Sequence, residues 1–113
     1  MTVKEIADIL NAKILCGEDR AESVTVHSAF GSDMMSDVLA FVQDQGMLLT
    51  GLMNPQVVRT AEMVDICCIA FVRGKTPEQS IVDLADSKGI ILLTTPERMY
   101  PACGKLYQAG LSG

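Results

Sequence analysis

The sequence predicts an α/β fold, a three-layer domain with a mostly parallel sheet, and three observations carry that prediction. The runs 47–50, 66–72 and 90–93 are apolar on both phases, as strands covered on both faces are. Between them, Val57, Ala61 and Val64, then Ile81, Leu84 and Ala85, recur at helical spacing. Each inferred helix follows a turn cluster containing Pro. The resulting β-α-β-α-β order in the C-terminal half is that of parallel strands joined by right-handed crossovers.

The elements follow in order. Thr2-Val3-Lys4-Glu5 is a capping box, and Val3, Ile6, Ala7 and Leu10 then share one face, predicting a helix over residues 3–11. Residues 13–16 read as a short strand ended by the polar turn Gly17-Glu18-Asp19-Arg20. Residues 23–28 alternate apolar and polar, predicting a half-buried strand with His27 on its solvent phase. A helix N-capped by Ser32 follows, with Met34, Val38 and Phe41 in one stripe and Met35, Leu39 and Val42 in the next. Helices are predicted over 55–63, 77–88 and 96–108, with Gly89 closing the second and Pro101 kinking or restarting the third.

At 113 residues with no linker or low-complexity tract, residues 1–113 are expected to form a single domain. The net charge of −5 and the scattered cations argue against nucleic acid. No apolar run is long enough for a membrane span, and the acidic residues of the first ten exclude a signal peptide, so a cytoplasmic location is expected. The four cysteines lack CxxC spacing, and Cys67 and Cys68 are expected to point to opposite faces of a strand. With one histidine, no metal site or cofactor is predicted.

Asn54-Pro55, Thr76-Pro77 and Thr95-Pro96 repeat one punctuation. Asn or Thr at N-cap with Pro following is a preferred helix start, worth about 1 kcal/mol per cap, and suffices as a structural reason. A second reading adds geometry. In a parallel sheet all three turns lie at the carboxyl edge, where helix N-termini attract anions and open sheets hold ligands. Thr50, Gly51, Asn54, Arg73, Gly74, Lys75, Thr76, Thr94 and Thr95 are the candidate ligand-binding residues there. Arg73-Gly74-Lys75 is the most suggestive piece, two cations flanking a glycine. Neither GxGxxG nor GxxxxGK[ST] is present, and no catalytic residue is predicted. Asp33 and Asp37 read as a solvated helical pair, and Cys103 is the sole candidate nucleophile, with no base placed near it.

Thr50-Gly51, Gly74, Leu84-Ala85, Gly89-Ile90 and Thr95-Pro96 together resemble DRTGG domains, α/β modules found beside CBS domains in certain pyrophosphatases and in some phosphotransacetylases. The first half, TVKEIADILNAKILCG with VTVHSAF and SDVLAF, is similar to the same domain and to the N-terminal domain of HPr kinase/phosphorylase, without its kinase half. Asn54-Pro55 stands where the family often has Asp-Arg, and Val72-Arg73-Gly74 where it often has Thr-Gly-Gly. The resemblance implies a non-catalytic regulatory or ligand-sensing domain for a small anion or nucleotide, and a homodimer. It also implies an alternative, an interaction module accessory to a larger metabolic enzyme, since stand-alone relatives accompany iron-only hydrogenase genes. Such a module would expose an apolar patch, expected from Met34, Met35, Met47 and Met53.

Overall fold

A computed structural model describes residues 1–43 and 45–113. In chain order the elements are α1 (Val3–Ile9), β1 (Lys13–Cys16), β2 (Ser28–Gly31), α2 (Met35–Phe41), β3 (Gly46–Thr50), α3 (Pro55–Met63), β4 (Cys68–Phe71), α4 (Gln79–Ser87), β5 (Ile91–Thr94) and α5 (Met99–Gln108). The five strands form one sheet in the order β1-β5-β4-β3-β2. Strands β2 to β5 are parallel, each beside the next in sequence, and β1 runs antiparallel on the far edge against β5.

Parallel neighbours taken consecutively send every crossover back on the same side. Accordingly α2, α3 and α4 cover one face, packing Val38, Val57, Ala61 and Ile81 on Leu48, Ile69, Phe71 and Leu92. Helices α1 and α5 cover the other, packing Ile6, Leu10, Ala102 and Leu106 on Met47, Leu49, Ala70 and Leu93. This is the three-layer arrangement expected, and it explains why every residue of β3 and β4 is buried.

The capping box forms, with Thr2 Oγ1 accepting from the Glu5 amide at 3.2 Å and Glu5 accepting from the Thr2 amide at 2.9 Å. Asn54 caps α3 through the Gln56 amide at 3.0 Å, with Pro55 at the first helical position. Gly89, at φ 73°, follows the end of α4 as expected.

Several elements differ. Residues 23–28 are not a strand: Val24 O accepts from Val3, and the Val26 amide donates to Met1 O, so this segment straps the N-terminus. The strand starts at Ser28 instead. Helix α2 begins after Met34, with Ser32 Oγ accepting from the Met34 amide in a turn before it. Only Met35 and Val38 of its two stripes are buried, because this short helix lies over the sheet edge; Met34, Leu39 and Phe41 are exposed. Of the four methionines expected on a patch, Met35 and Met47 are core residues. Cys67 precedes β4, and both vicinal thiols pack towards the α1/α5 core rather than to opposite faces.

Two of the three Asn/Thr-Pro turns are not helix caps. Helix α4 starts after Glu78 and α5 after Arg98. Thr95 instead donates to Leu10 O at 2.6 Å and accepts from the Glu97 amide at 3.2 Å, fastening the end of β5 to α1. Pro101 falls in the first turn of α5, where an amide has no intrahelical acceptor to lose, so it neither kinks nor restarts the helix.

Candidate functional site

The carboxyl ends of β2 to β5 bring four loops together. The first supplies Gly31-Ser32-Asp33, the second Thr50-Gly51, the third residues 72–75 and the fourth residues 94–98. Asp33 joins the first two. One of its carboxylate oxygens accepts from the Gly51 amide at 2.6 Å and from the Thr50 hydroxyl at 2.9 Å. The Gly51 amide, the largest influence, together with the Thr50 hydroxyl and the charges of Arg73 and Lys75, outweighs desolvation and holds the carboxyl below its ordinary value.

Lys75 Nζ donates to Gly51 O at 3.1 Å, and Thr94 Oγ1 donates to Lys75 O at 2.6 Å. The loop after β4 is thereby tied on both sides. Arg73 and Gly74 both adopt left-handed backbone, at φ 65° and 67°. That conformation is uncommon for arginine. It is held by the Arg73 amide donating to Glu97 O and the Gly74 amide donating to Thr95 O, both at 2.8 Å. The turn lays the Arg73 guanidinium directly over Gly51: a Cβ there would sit 2.5 Å from Arg73 Nη2. The absence of a Cβ at Gly51 leaves room for the guanidinium in this position.

Beside this network is a pocket of about 700 Å³ lined by residues 31–33, 72–73 and 98–101. Arg73 stands on one wall and Arg98, at the start of α5, on another, and neither guanidinium has an ion pair or hydrogen bond among the described residues. Asp33 and Tyr100 are also among the lining residues. Two unpaired cations, one carboxylate and an aromatic ring suit a ligand with an anionic group and a planar or hydroxyl-bearing remainder.

The nine residues expected at the site separate sharply. Thr50, Gly51, Arg73, Gly74, Lys75, Thr94 and Thr95 do gather at the carboxyl edge, but most are spent on holding it. The hydroxyls of Thr50, Thr94 and Thr95 and the Lys75 ammonium are engaged by protein groups. Asn54 is used as a cap, and Thr76 is exposed in the loop before α4. Arg73 alone of the nine lines the pocket. Sequence reasoning missed Asp33, Arg98 and Tyr100. Placing the second strand at 23–28 hid the one available signal, that Gly31-Ser32-Asp33 also follows a strand.

No group of three or more His, Cys, Asp or Glu among the described residues is arranged to hold a metal. Burial raises the thiol pKa of Cys103, whose sulfur lies 3.8 Å from Met99 Sδ and against Gly31. That shift favours the thiol over the nucleophilic thiolate. No helix of the described residues is long and apolar enough to cross a membrane.

No curated protein matches the chain. Among solved structures, it is similar to the CBS and DRTGG domains of the regulatory region of Clostridium perfringens pyrophosphatase, complexed with the activator diadenosine tetraphosphate. The TM-score is 0.79 at 17% identity, over 96% of this chain and 46% of that one, so the chain spans less than half the length of that structure. Residues 5–109 match the DRTGG domain, and the chain belongs to that family.

Proposed function

We propose that residues 1–113 act as one non-catalytic regulatory domain that senses a small anionic ligand, a phosphate-bearing nucleotide, in the carboxyl-edge pocket. The observation that carries this reading is Arg73. Its strained turn, two backbone hydrogen bonds and a glycine beneath it present an unpaired guanidinium to a pocket that holds a second one, Arg98. The guanidinium fork suits phosphate oxygens. Asp33 accepts from a ribose hydroxyl or an exocyclic amine, and Tyr100 stacks on the base. The Clostridium perfringens neighbour, a regulatory region crystallised with a dinucleotide activator, supports a nucleotide as the ligand.

Binding would tie the loop after β4 to the start of α5, and regulation would pass through that link. The reading extends to a homodimer in the cytoplasm, docking on a larger enzyme such as an iron-only hydrogenase. Support comes from the DRTGG match and from a neighbour in which such a domain belongs to the regulatory region of a larger enzyme. The test is a thermal-shift screen with inorganic phosphate, pyrophosphate, AMP, ADP, ATP and diadenosine tetraphosphate. A ligand at about a hundred times its Kd raises stability by roughly 2.7 kcal/mol, several degrees for a domain of this size. A shift that Arg73→Ala removes supports the site; a flat screen overturns it.

A further inference from the structure

Helix α5 presents an outer face that the packing of this chain does not explain. Gly104 lies in the helix interior, where glycine is disfavoured against alanine, yet a Cβ there would meet no atom within 4 Å. Nothing among the described residues requires glycine there. Tyr100 and Tyr107, the only tyrosines in the sequence, stand four residues before and three after it on the same side, 89% and 72% exposed. The three border one shallow groove of about 660 Å³ along the helix. A glycine in open space between two exposed aromatic rings is what a close helix crossing needs, because a missing Cβ lets a second backbone approach while the rings flank it.

We propose that this face pairs with the same face of a second copy, the two α5 helices crossing antiparallel about a two-fold axis at Gly104. This deepens the homodimer reading above, on which it rests, by assigning it a surface. The tyrosine spacing is self-complementary: with a rise of about 1.5 Å per residue, an antiparallel crossing at Gly104 sets Tyr100 of each copy against Tyr107 of the other. Charge selects the same helix. The chain carries net −5, and every other α-helix bears at least one carboxylate, whereas α5, MYPACGKLYQ, bears none. Its one charged side chain, Lys105, is paired with Glu97 at 2.8 Å. Two copies of this net-acidic chain can therefore meet on α5 without opposing helix carboxylates, and the Lys105 charge near the crossing is offset by Glu97. The two rings alone offer roughly 300 Å² per copy, more than a third of the ~800 Å² per partner of a standard interface. The helix flank and the rim of the groove supply the rest.

Sedimentation velocity over a concentration series tests the pairing on the full chain. The wild type is expected to show a concentration-dependent dimer, and Tyr107→Glu and Gly104→Arg to weaken it at least tenfold with unchanged circular dichroism. Met63→Lys, on the exposed surface of α3, should leave it intact. Gly104→Ala separates interface from helix propensity: it should raise the Tm of dilute monomer by about 4 °C while weakening association. A wild type that stays monomeric throughout the series overturns both this surface and the dimer reading. A dimer that survives Tyr107→Glu and Gly104→Arg overturns this surface alone; Tyr100 borders both sites, so the anion site is read separately, by the ligand screen with Arg73→Ala, a residue outside the α5 groove.

Discussion

Asp33 is the side chain that fastens the loop after β2 to the loop after β3 at the carboxyl edge, and its replacement tests that role quantitatively. In Asp33→Ala the Gly51 amide and the fully buried Thr50 hydroxyl lose their shared acceptor. A hydrogen bond to a charged group contributes about 1.5–3 kcal/mol, and an orphaned buried donor costs about 1–3 kcal/mol. Asp33 borders solvent, so water recovers part of this, leaving about 2 kcal/mol for Asp33→Ala. Asp33→Asn retains a neutral acceptor oxygen and should lose about 1 kcal/mol. Because the folded-state pKa is lowered from an ordinary value of 3.8, the contribution is fully present above that value. It disappears as pH falls through the lower, folded-state pKa. Urea denaturation of wild type and Asp33→Asn should therefore differ at pH 7 and converge below the ordinary carboxylate range. Equal stability at pH 7, or a difference that does not shrink on acidification, would refute the assigned role.

Gly51→Ala should displace the Arg73 guanidinium from its seat 2.5 Å from the new Cβ and weaken nucleotide binding at least tenfold. Its loss of thermal stability should be modest, since the guanidinium is the free end of a flexible side chain. Asn54→Ala should cost about 1 kcal/mol in urea denaturation through loss of the α3 cap. Thr76→Ala, at the equivalent position of Thr76-Pro77, should fall within about 0.5 kcal/mol of wild type because it caps nothing. Cys103 in the native protein should react slowly with a thiol reagent at pH 7, its pKa being raised by burial, and at the ordinary rate in urea.

The central strands were legible because both phases are apolar, a pattern that depends only on being covered from two sides. The α1 and α3 starts were legible because Thr2–Glu5 and Asn54–Gln56 are contacts three and two residues apart. Thr95 misled because its partner is Leu10 O, 85 residues away, which no local pattern encodes. Val24 and Val26 alternate as a strand would, but their backbone bonds go to Met1 and Val3. The same limit governs the pocket. Arg73 was conspicuous beside Gly74, whereas Asp33 and Arg98 meet it only because β2, β4 and β5 end at one edge of a sheet whose order is a tertiary fact.

The most direct measurement is a ¹⁵N-edited NMR titration of the full chain with ADP and, separately, pyrophosphate. The account predicts saturable shifts at the amides of Gly31, Asp33, Arg73, Gly74, residues 98–100 and Ala102, abolished for both ligands in Arg73→Ala. Saturable shifts centred elsewhere, or none at millimolar ligand, would contradict it.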